Sequence, residues 1–350
     1  MMLQMRESKD RLSVDSAARY LAVFGVVLVV CAQVALAANG SDEAEIVSVR
    51  KIWDKGRHNA FTDLVRFKGK WFCTFREAEN HWSPGAHGKI RVIASPDGDK
   101  WHSVGLFSKE GDLRDPKLSI TPENELMLLC FRRFNPHRHP DQHEWTMVSF
   151  SPDGKDWGEL IKVGYPDHWL WRVTWHEGKA YGVSRGGPED KKPFSQPISG
   201  QVLVSDDGTS FEPLADAEYG GECTIRFADD ETGYCLRRSK NNRGIIGIAR
   251  PPYEEWEWKE LGKAIGGPEL LILPDGRFVA ASRRYDGKVR TALQWLDPAK
   301  GTLHEFLTLP SGGDTSYPGL VWHNGLLWVS YYSSHEGKTS IYLAKVRIPE

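Results

Sequence analysis

The sequence predicts an all-β chain folded as a six-bladed β-propeller. Three observations carry this. A turn motif, Ser95-Pro96-Asp97-Gly98-Asp99-Lys100-Trp101, returns as Ser151-Pro152-Asp153-Gly154-Lys155-Asp156-Trp157 and as Ser205-Asp206-Asp207-Gly208-Thr209-Ser210-Phe211, at spacings of 56 and 54 residues. A second repeat places an Arg seven positions after a turn residue: Gly69 to Arg76, Gly178 to Arg185, Gly276 to Arg283, with Tyr332 at the same offset from Gly325. Looser copies are Asn124 before Arg132-Arg133 and Asp230 before Arg237-Arg238. Each unit of about 50 residues reads strand, turn, strand, loop, strand, turn, strand. Periods of that length with four strands per unit mean a propeller.

Taken in order, residues 1–37 read as a targeting segment. The apolar run YLAVFGVVLVV at 20–30 follows Arg11 and Arg19, and Ala35-Leu36-Ala37 supplies a small-x-small cleavage pattern. The run is about 11 residues, too short to span a bilayer, which needs ~20. Cleavage near Ala37 makes the mature chain secreted or periplasmic, with no stable membrane insertion. Residues 45–53 (EIVSVRKIW) are strand-like and close the ring. The blades follow at about 57–105, 112–162, 168–215, 219–262, 265–309 and 313–348. LVRF/KWFCTF/IRVIAS in the first and GLVWH/LLWVSYY/SIYLAKV in the last are typical strand sets. In the repeated turns Ser and Asp bond local amides, Gly takes φ > 0 and the aromatic packs inward. Cys73, Cys130 and Cys235 sit inside apolar runs and read as small core residues.

Composition limits the function classes. Lys+Arg number 45 against 47 Asp+Glu, a net charge of −2, without the basic excess of a nucleic-acid binder. No GxGxxG or GxxxxGK[ST] occurs, so nucleotide-binding chemistry has no support. No spacing matches a zinc pattern, and no cofactor is expected.

The Ser-x-Asp-Gly-x-x-Trp turns resemble the Asp boxes of the sialidase superfamily, whose members are six-bladed propellers. The resemblance covers about residues 45–350. It implies a sialidase-like exo-glycosidase acting on a terminal acidic sugar. Gly221-Glu222-Cys223-Thr224-Ile225 with Arg237-Arg238-Ser239 is similar to the family's Glu strand and a following triad Arg. Ser316-Tyr317-Pro318-Gly319-Leu320 is similar to its nucleophilic Tyr strand.

In a propeller, the start of each blade's first strand and the end of its second open on one face. That places Arg76, Arg132, Arg185, one of Arg237 or Arg238, and one of Arg283 or Arg284 around one mouth. Like charges at close range need an anion between them, and Arg grips carboxylate bidentately. The same face takes Asp63, Asp115, Arg172, Glu222, Glu269 and Tyr317 from the first strands. A carboxylate at the anomeric carbon repels a carboxylate nucleophile, whereas a neutral phenol avoids this. Its proton must then pass to a base. Tyr317 is the expected nucleophile and Glu222 its base, with Asp63 a further catalytic candidate. The chain departs from the family in two places. Asn59-Ala60-Phe61-Thr62-Asp63 lacks the first-blade Arg, and the loop 76–88 lacks an acid/base Asp. Glu77, Glu79, His81 or His87 is left for proton transfer. The second-blade loop 135–145 carries three His and an Asp, and reads as substrate contact through His137. The alternatives are a lyase or other enzyme on uronic or sulfated glycans, and a glycan-binding propeller without catalysis.

Overall fold

In the computed structural model, the described residues are 43–82, 87–135, 138–139, 141–186, 200–217 and 221–349. The targeting segment and His137 lie outside them. Residues Ala44–Ile348 form one compact unit.

The strands run in four-stranded antiparallel meanders. The first holds β2 (His58–Phe67), β3 (Lys70–Ala78), β4 (Lys89–Ser95) and β5 (His102–Phe107) after a leading β1 (Glu45–Trp53). The second holds β6 (Asp112–Ile120), β7 (Leu126–Arg133), β8 (Trp145–Ser151) and β9 (Ile161–Val163). The third holds β10 (His168–His176), β11 (Lys179–Gly186), β12 (Gly200–Ser205) and β13 (Glu212–Asp216). Then come β14 (Cys223–Phe227), β15 (Gly233–Arg238), β16 (Arg243–Ala249) and the long β17 (Glu257–Ile272). The N-terminal half of β17 pairs with β16 and its C-terminal half with β18 (Phe278–Arg284), which leads to β19 (Arg290–Asp297) and β20 (Thr302–Thr308). One strand thus ends one meander and begins the next. The last meander is β21 (Thr315–His323), β22 (Leu326–Ser333) and β23 (Ser340–Arg347), completed by β1 on β23. That pairing joins the two ends of the fold.

The first strands of successive meanders touch in a closed ring: β2, β6, β10, β14, β17, β21 and back to β2. This is a β-propeller. Apolar side chains between adjacent meanders form its core, as in the clusters built on Phe67, Leu118 and Leu128 or on Leu293, Leu327 and Val329.

The three repeated turns are built alike. Ser95 Oγ accepts from Gly98 N at 2.8 Å, and Asp97 Oδ1 accepts from Asp99 N and Lys100 N at 2.8 and 3.1 Å. Ser151/Asp153 and Ser205/Asp207 repeat the pattern. Gly98, Gly154 and Gly208 have φ near +70 to +80° and lie against Trp328, Phe72 and Trp175. The first two of these contacts tie a turn to the preceding meander.

Five of the six first strands carry a bulge at the same place, between Ala60/Asp63, Arg114/Lys117, Leu170/Val173, Gly266/Glu269 and Ser316/Gly319. Each inserts one residue, so the side-chain alternation changes phase across it. Four bulges hold a residue with positive φ: Phe61 at 62°, Asp115 at 50°, Gly267 at 54° and Tyr317 at 49°. Three of those four precede a proline, which needs no ladder partner for a missing N–H.

Candidate active site

The bulges decide which side chains meet at the mouth. Tyr317 is 7% exposed, and its hydroxyl donates to Glu222 Oε1 at 2.6 Å. Arg238 Nη1 donates to the same carboxylate oxygen at 2.7 Å and lies 3.5 Å from the Tyr317 oxygen. Glu222 Oε2 accepts from the Gly267 amide at 2.6 Å. Asn242, in the turn after β15, holds Arg238 from behind at 2.9 Å from its Nε. The Arg283 guanidinium lies 5.2 Å from the Tyr317 ring centre.

Electrostatics separates the two partners. Burial opposes the charge on Glu222, but Arg238, the Tyr317 hydroxyl and the Gly267 amide outweigh it and hold the carboxyl at about 2. Burial, and then the charge of Glu222, pushes the Tyr317 phenol well above its usual range. Burial likewise works against Arg238, but Glu222 and Tyr317 keep its cation strongly favoured. The resting pair is therefore a neutral phenol donating to a carboxylate.

Asp115 lies in the field of Glu222 and Tyr317. It is 2% exposed, and its carboxylate makes no hydrogen bond among the described residues. Burial raises it to about 6, with Glu222 adding to the rise and Arg114 and Lys117 opposing it.

A second cluster borders Phe61. Asp314 Oδ2 accepts from His81 Nδ1 at 2.7 Å and from His58 Nε2 at 2.8 Å. Its Oδ1 accepts from the Tyr332 hydroxyl at 2.8 Å and faces Arg283 Nη2 at 3.4 Å. These three are the one ligating group among the described residues with donor atoms within 4.8 Å of one another. Arg283 on Asp314 and the nearby charge of Arg76 oppose a divalent cation there.

The other expected residues divide. Arg76 is fully buried between Asp112 at 2.8 Å and the Asn80 carbonyl at 2.9 Å. The Arg185 guanidinium covers the Trp169 ring at 4.7 Å and lies in the field of Glu222 and Arg238. The paired arginines are resolved. Arg238 and Arg283 reach Glu222 and Asp314, while Arg237 turns inward onto Trp258 and the Ala217 carbonyl, and Arg284 turns to Gln294 and Asp286.

Several expectations are corrected. Arg132 bonds the Glu110 carbonyl at 2.7 Å and packs on Phe134, so it leaves the mouth. Glu79 pairs with Arg57 at 3.2 Å with both side chains largely exposed. His87 is exposed, with no hydrogen bond or ion pair among the described residues. Asp63 and Glu269 lie just past their bulges and Arg172 within its own, and all three line the cavity farther along the first strands, not the rim. Arg172 Nη1 donates to Asp63 at 3.0 Å and pairs with Glu269, which also takes Arg226 at 2.5 Å. These ions line a cavity of about 680 Å³ that the far ends of the first strands enclose, with Leu64, Ile120, Trp175 and Trp322 in its wall. The arginine ring is also neutralised from within the chain. Asp112 pairs with Arg76 and Arg114, Glu144 with Arg133, Glu222 with Arg238, and Asp314 with Arg283.

Sequence reasoning missed His58, Arg114 and Asp314, and gave Tyr332 only as the last copy of the repeated Arg position. Arg114 adjoins Asp115 and its guanidinium lies 5.7 Å from Phe61 and 5.6 Å from Trp82. The readable signal for it was Pro116, which marks the bulge. Asp314 lies only three residues before Tyr317, but nothing in its own surroundings marks it as a partner of His58, 256 positions away.

No protein-family model matches the sequence, and no curated protein is similar to it in sequence. Solved structures match its shape. A Dyadobacter fermentans protein of unknown function superposes with a TM-score of 0.75 at 17% identity, over 87% of this chain and 99% of that one. The Fusarium graminearum α-L-arabinofuranosidase in complex with an iminosugar inhibitor gives 0.68 at 12% identity, over 87% and 98%. Trypanosoma rangeli sialidase in complex with the inhibitor DANA gives 0.62 at 12%, over 86% of this chain and 59% of the sialidase. At these identities the likeness establishes the fold: a β-propeller of the kind that glycoside hydrolases use.

Proposed function

We propose that the protein is a retaining exo-glycosidase that releases a terminal acidic sugar, with Tyr317 as nucleophile and Glu222 as its base. The observation that carries this is the 2.6 Å hydrogen bond from the Tyr317 hydroxyl to Glu222, with Arg238 on the same carboxylate. A buried phenol is a poor nucleophile until its proton leaves. Glu222 is placed to take that proton as the Tyr317 oxygen bonds to the anomeric carbon. Arg238 and Arg283 flank the ring, where they stabilise the charge that develops on the phenol oxygen, and Arg283, whose Nη1 makes no hydrogen bond among the described residues, is the one with a donor left for a substrate carboxylate. Sialidases are the established exception to the two-carboxylate scheme of glycosidases, and this pair has the same logic. The N-terminal pattern supports export, so the substrate would be an extracellular or periplasmic glycan.

Phe61 favours a second reading. It occupies the first-blade bulge near which the resemblance expects an arginine, and its ring lies 5.0 Å from that of Tyr317. A carboxylate would meet two arginines and an apolar ring there. A neutral terminal sugar, such as the arabinoside cleaved by the fungal neighbour, suits that wall better.

The test is a fluorogenic screen of residues 38–350 against sialosides, other keto-sugar acids, uronides and α-L-arabinofuranosides, with Tyr317→Phe and Glu222→Gln beside the parent. Release that falls in both variants, by about 10²–10⁴-fold for Glu222→Gln, supports the reading, and the substrate identifies the sugar class. Release that survives both substitutions removes it. An unsaturated product would mark a lyase instead.

A further inference from the structure

We propose that His81, held by Asp314, is the group that protonates the leaving oxygen and later activates water. The inference rests on the hydrolase reading and deepens it, since the first-blade loop offers no aspartate for this step.

An ionised carboxylate only accepts hydrogen bonds. Asp314 Oδ2 lies 2.7 Å from His81 Nδ1 and 2.8 Å from His58 Nε2, so both nitrogens carry their protons toward it. The Nε2 of His81 is then the nitrogen that exchanges a proton. It makes no hydrogen bond among the described residues, and the side chain is 44% exposed. The ring is held edge-on to Phe61 at 5.2 Å, and the Phe61 ring is also 5.0 Å from that of Tyr317. Phe61 thus borders both rings, and on this proposal a sugar seated on Tyr317 presents its glycosidic oxygen past Phe61 to His81.

The two imidazoles are not equivalent. The His58 side chain is 8% exposed, and burial lowers its proton affinity despite Asp314. His58 thus stays neutral and positions Asp314. The remaining charged neighbours fit the same division. Arg283 and the Tyr332 hydroxyl occupy the other oxygen of Asp314, Arg114 donates to the His81 carbonyl at 3.2 Å, and Arg76 acts on His58. An aspartate that orients an imidazole and stabilises its cation is an effective partner for general acid–base work.

In the first step the His81 Nε2 proton passes to the leaving oxygen as the glycosidic C–O bond breaks. The Tyr317 oxygen bonds to the anomeric carbon and its proton passes to Glu222. In the second step His81 Nε2 takes a proton from water as the water oxygen attacks that carbon. The bond to Tyr317 breaks and Glu222 returns the proton to it. His81, Tyr317 and Glu222 all end as they began.

The test compares leaving groups. His81→Ala, Asp314→Asn and Tyr317→Phe are assayed on 4-methylumbelliferyl N-acetylneuraminide and on sialyl-lactose, with the matching uronide pair in parallel. An aryl leaving group departs without much protonation, whereas a sugar needs it. His81→Ala and Asp314→Asn are expected to lose about 10²–10⁴-fold in kcat/KM on the sugar aglycone, and less than about tenfold on the aryl one. Equal losses on both aglycones, or no loss on either, overturn the proposal. Tyr317→Phe loses activity on both if the hydrolase reading holds. Retained activity in Tyr317→Phe removes that reading while leaving the leaving-group result to judge His81 alone. No turnover of either pair by the parent protein removes both.

Discussion

Phe61 and Tyr317 stand at the same bulge position of two neighbouring first strands, both with positive φ, and their rings lie 5.0 Å apart. Phe61 is 2% exposed and also contacts His81 and Tyr332. It is thus the wall between the two hydrogen-bonded clusters. Phe61→Ala is expected to cost about 3–5 kcal/mol, the usual range for a buried Phe, and to lower activity by freeing both rings. Chemical denaturation reads the first. A loss under ~1 kcal/mol would show that the wall carries little of the packing.

Asp115 makes stability depend on pH in an unusual direction. Burial lifts its carboxyl from the ordinary 3.8 to about 6 in the fold. Folding therefore takes up a proton between those values. The contribution is fully present below pH 3.8 and is lost as pH rises through about 6. Asp115→Asn removes the penalty, so it should be more stable than the parent at pH 8, by an amount of order 3 kcal/mol. The gap should close toward pH 4. Thermal melts at the two pH values test this, and a less stable Asn variant at pH 8 would contradict it.

The channel ions should behave as one network. Asp63, Arg172, Glu269 and Arg226 are joined by ion pairs, and the first three are at most 5% exposed. Removing one partner strands the others. Asp63→Asn or Arg172→Met should therefore destabilise the fold by about 3–5 kcal/mol. Restored stability in a double variant that removes both charges would support coupling, and simple addition of the two losses would argue against it.

The repeated turns separate conformational strain from crowding. Gly69 has φ +77° with nothing within 4 Å of an added Cβ, whereas Gly98 has φ +80° and meets the Trp328 ring. Gly69→Ala should cost only the backbone term, about 1–2 kcal/mol. Gly98→Ala should cost that plus about 1–3 kcal/mol for displacing the indole. Equal losses, read from denaturation midpoints, would show that Trp328 yields freely.

The architecture was readable because its signals are local and repeated. The Ser-Asp-Gly turns and the four-strand pattern recur at a nearly fixed period, the single strand at 45–53 fills the place left at the end of the ring, and each signal depends on a few adjacent residues. Tyr317 and Glu222 were singled out by the resemblance of their strands to the sialidase pattern, and the repeat pointed to the pairs Arg237/Arg238 and Arg283/Arg284 without choosing within them. Asp63, Arg172 and Glu269 were placed at the mouth because they stand near the starts of first strands, whereas an extra residue in each of those strands turns the side-chain phase at or before them. Only Gly266-Gly267 and the prolines at 116, 268 and 318 hinted at that reversal. The choice between Arg237 and Arg238 hangs on the same alternation, since Arg237 faces the Trp258 ring at 4.1 Å. Asp314 and His58 had no local signal, because the first and last meanders meet only when the ring closes.

The most direct measurement is covalent trapping. The protein would be incubated with a fluorinated, activated glycoside of the sugar class it turns over, quenched in acid, digested and mapped by mass spectrometry. A glycosyl adduct on the peptide containing Tyr317, absent in Tyr317→Phe and slowed in Glu222→Gln, is the predicted result. An adduct on Glu222 or Asp115, or steady turnover with no adduct, would contradict a tyrosine nucleophile.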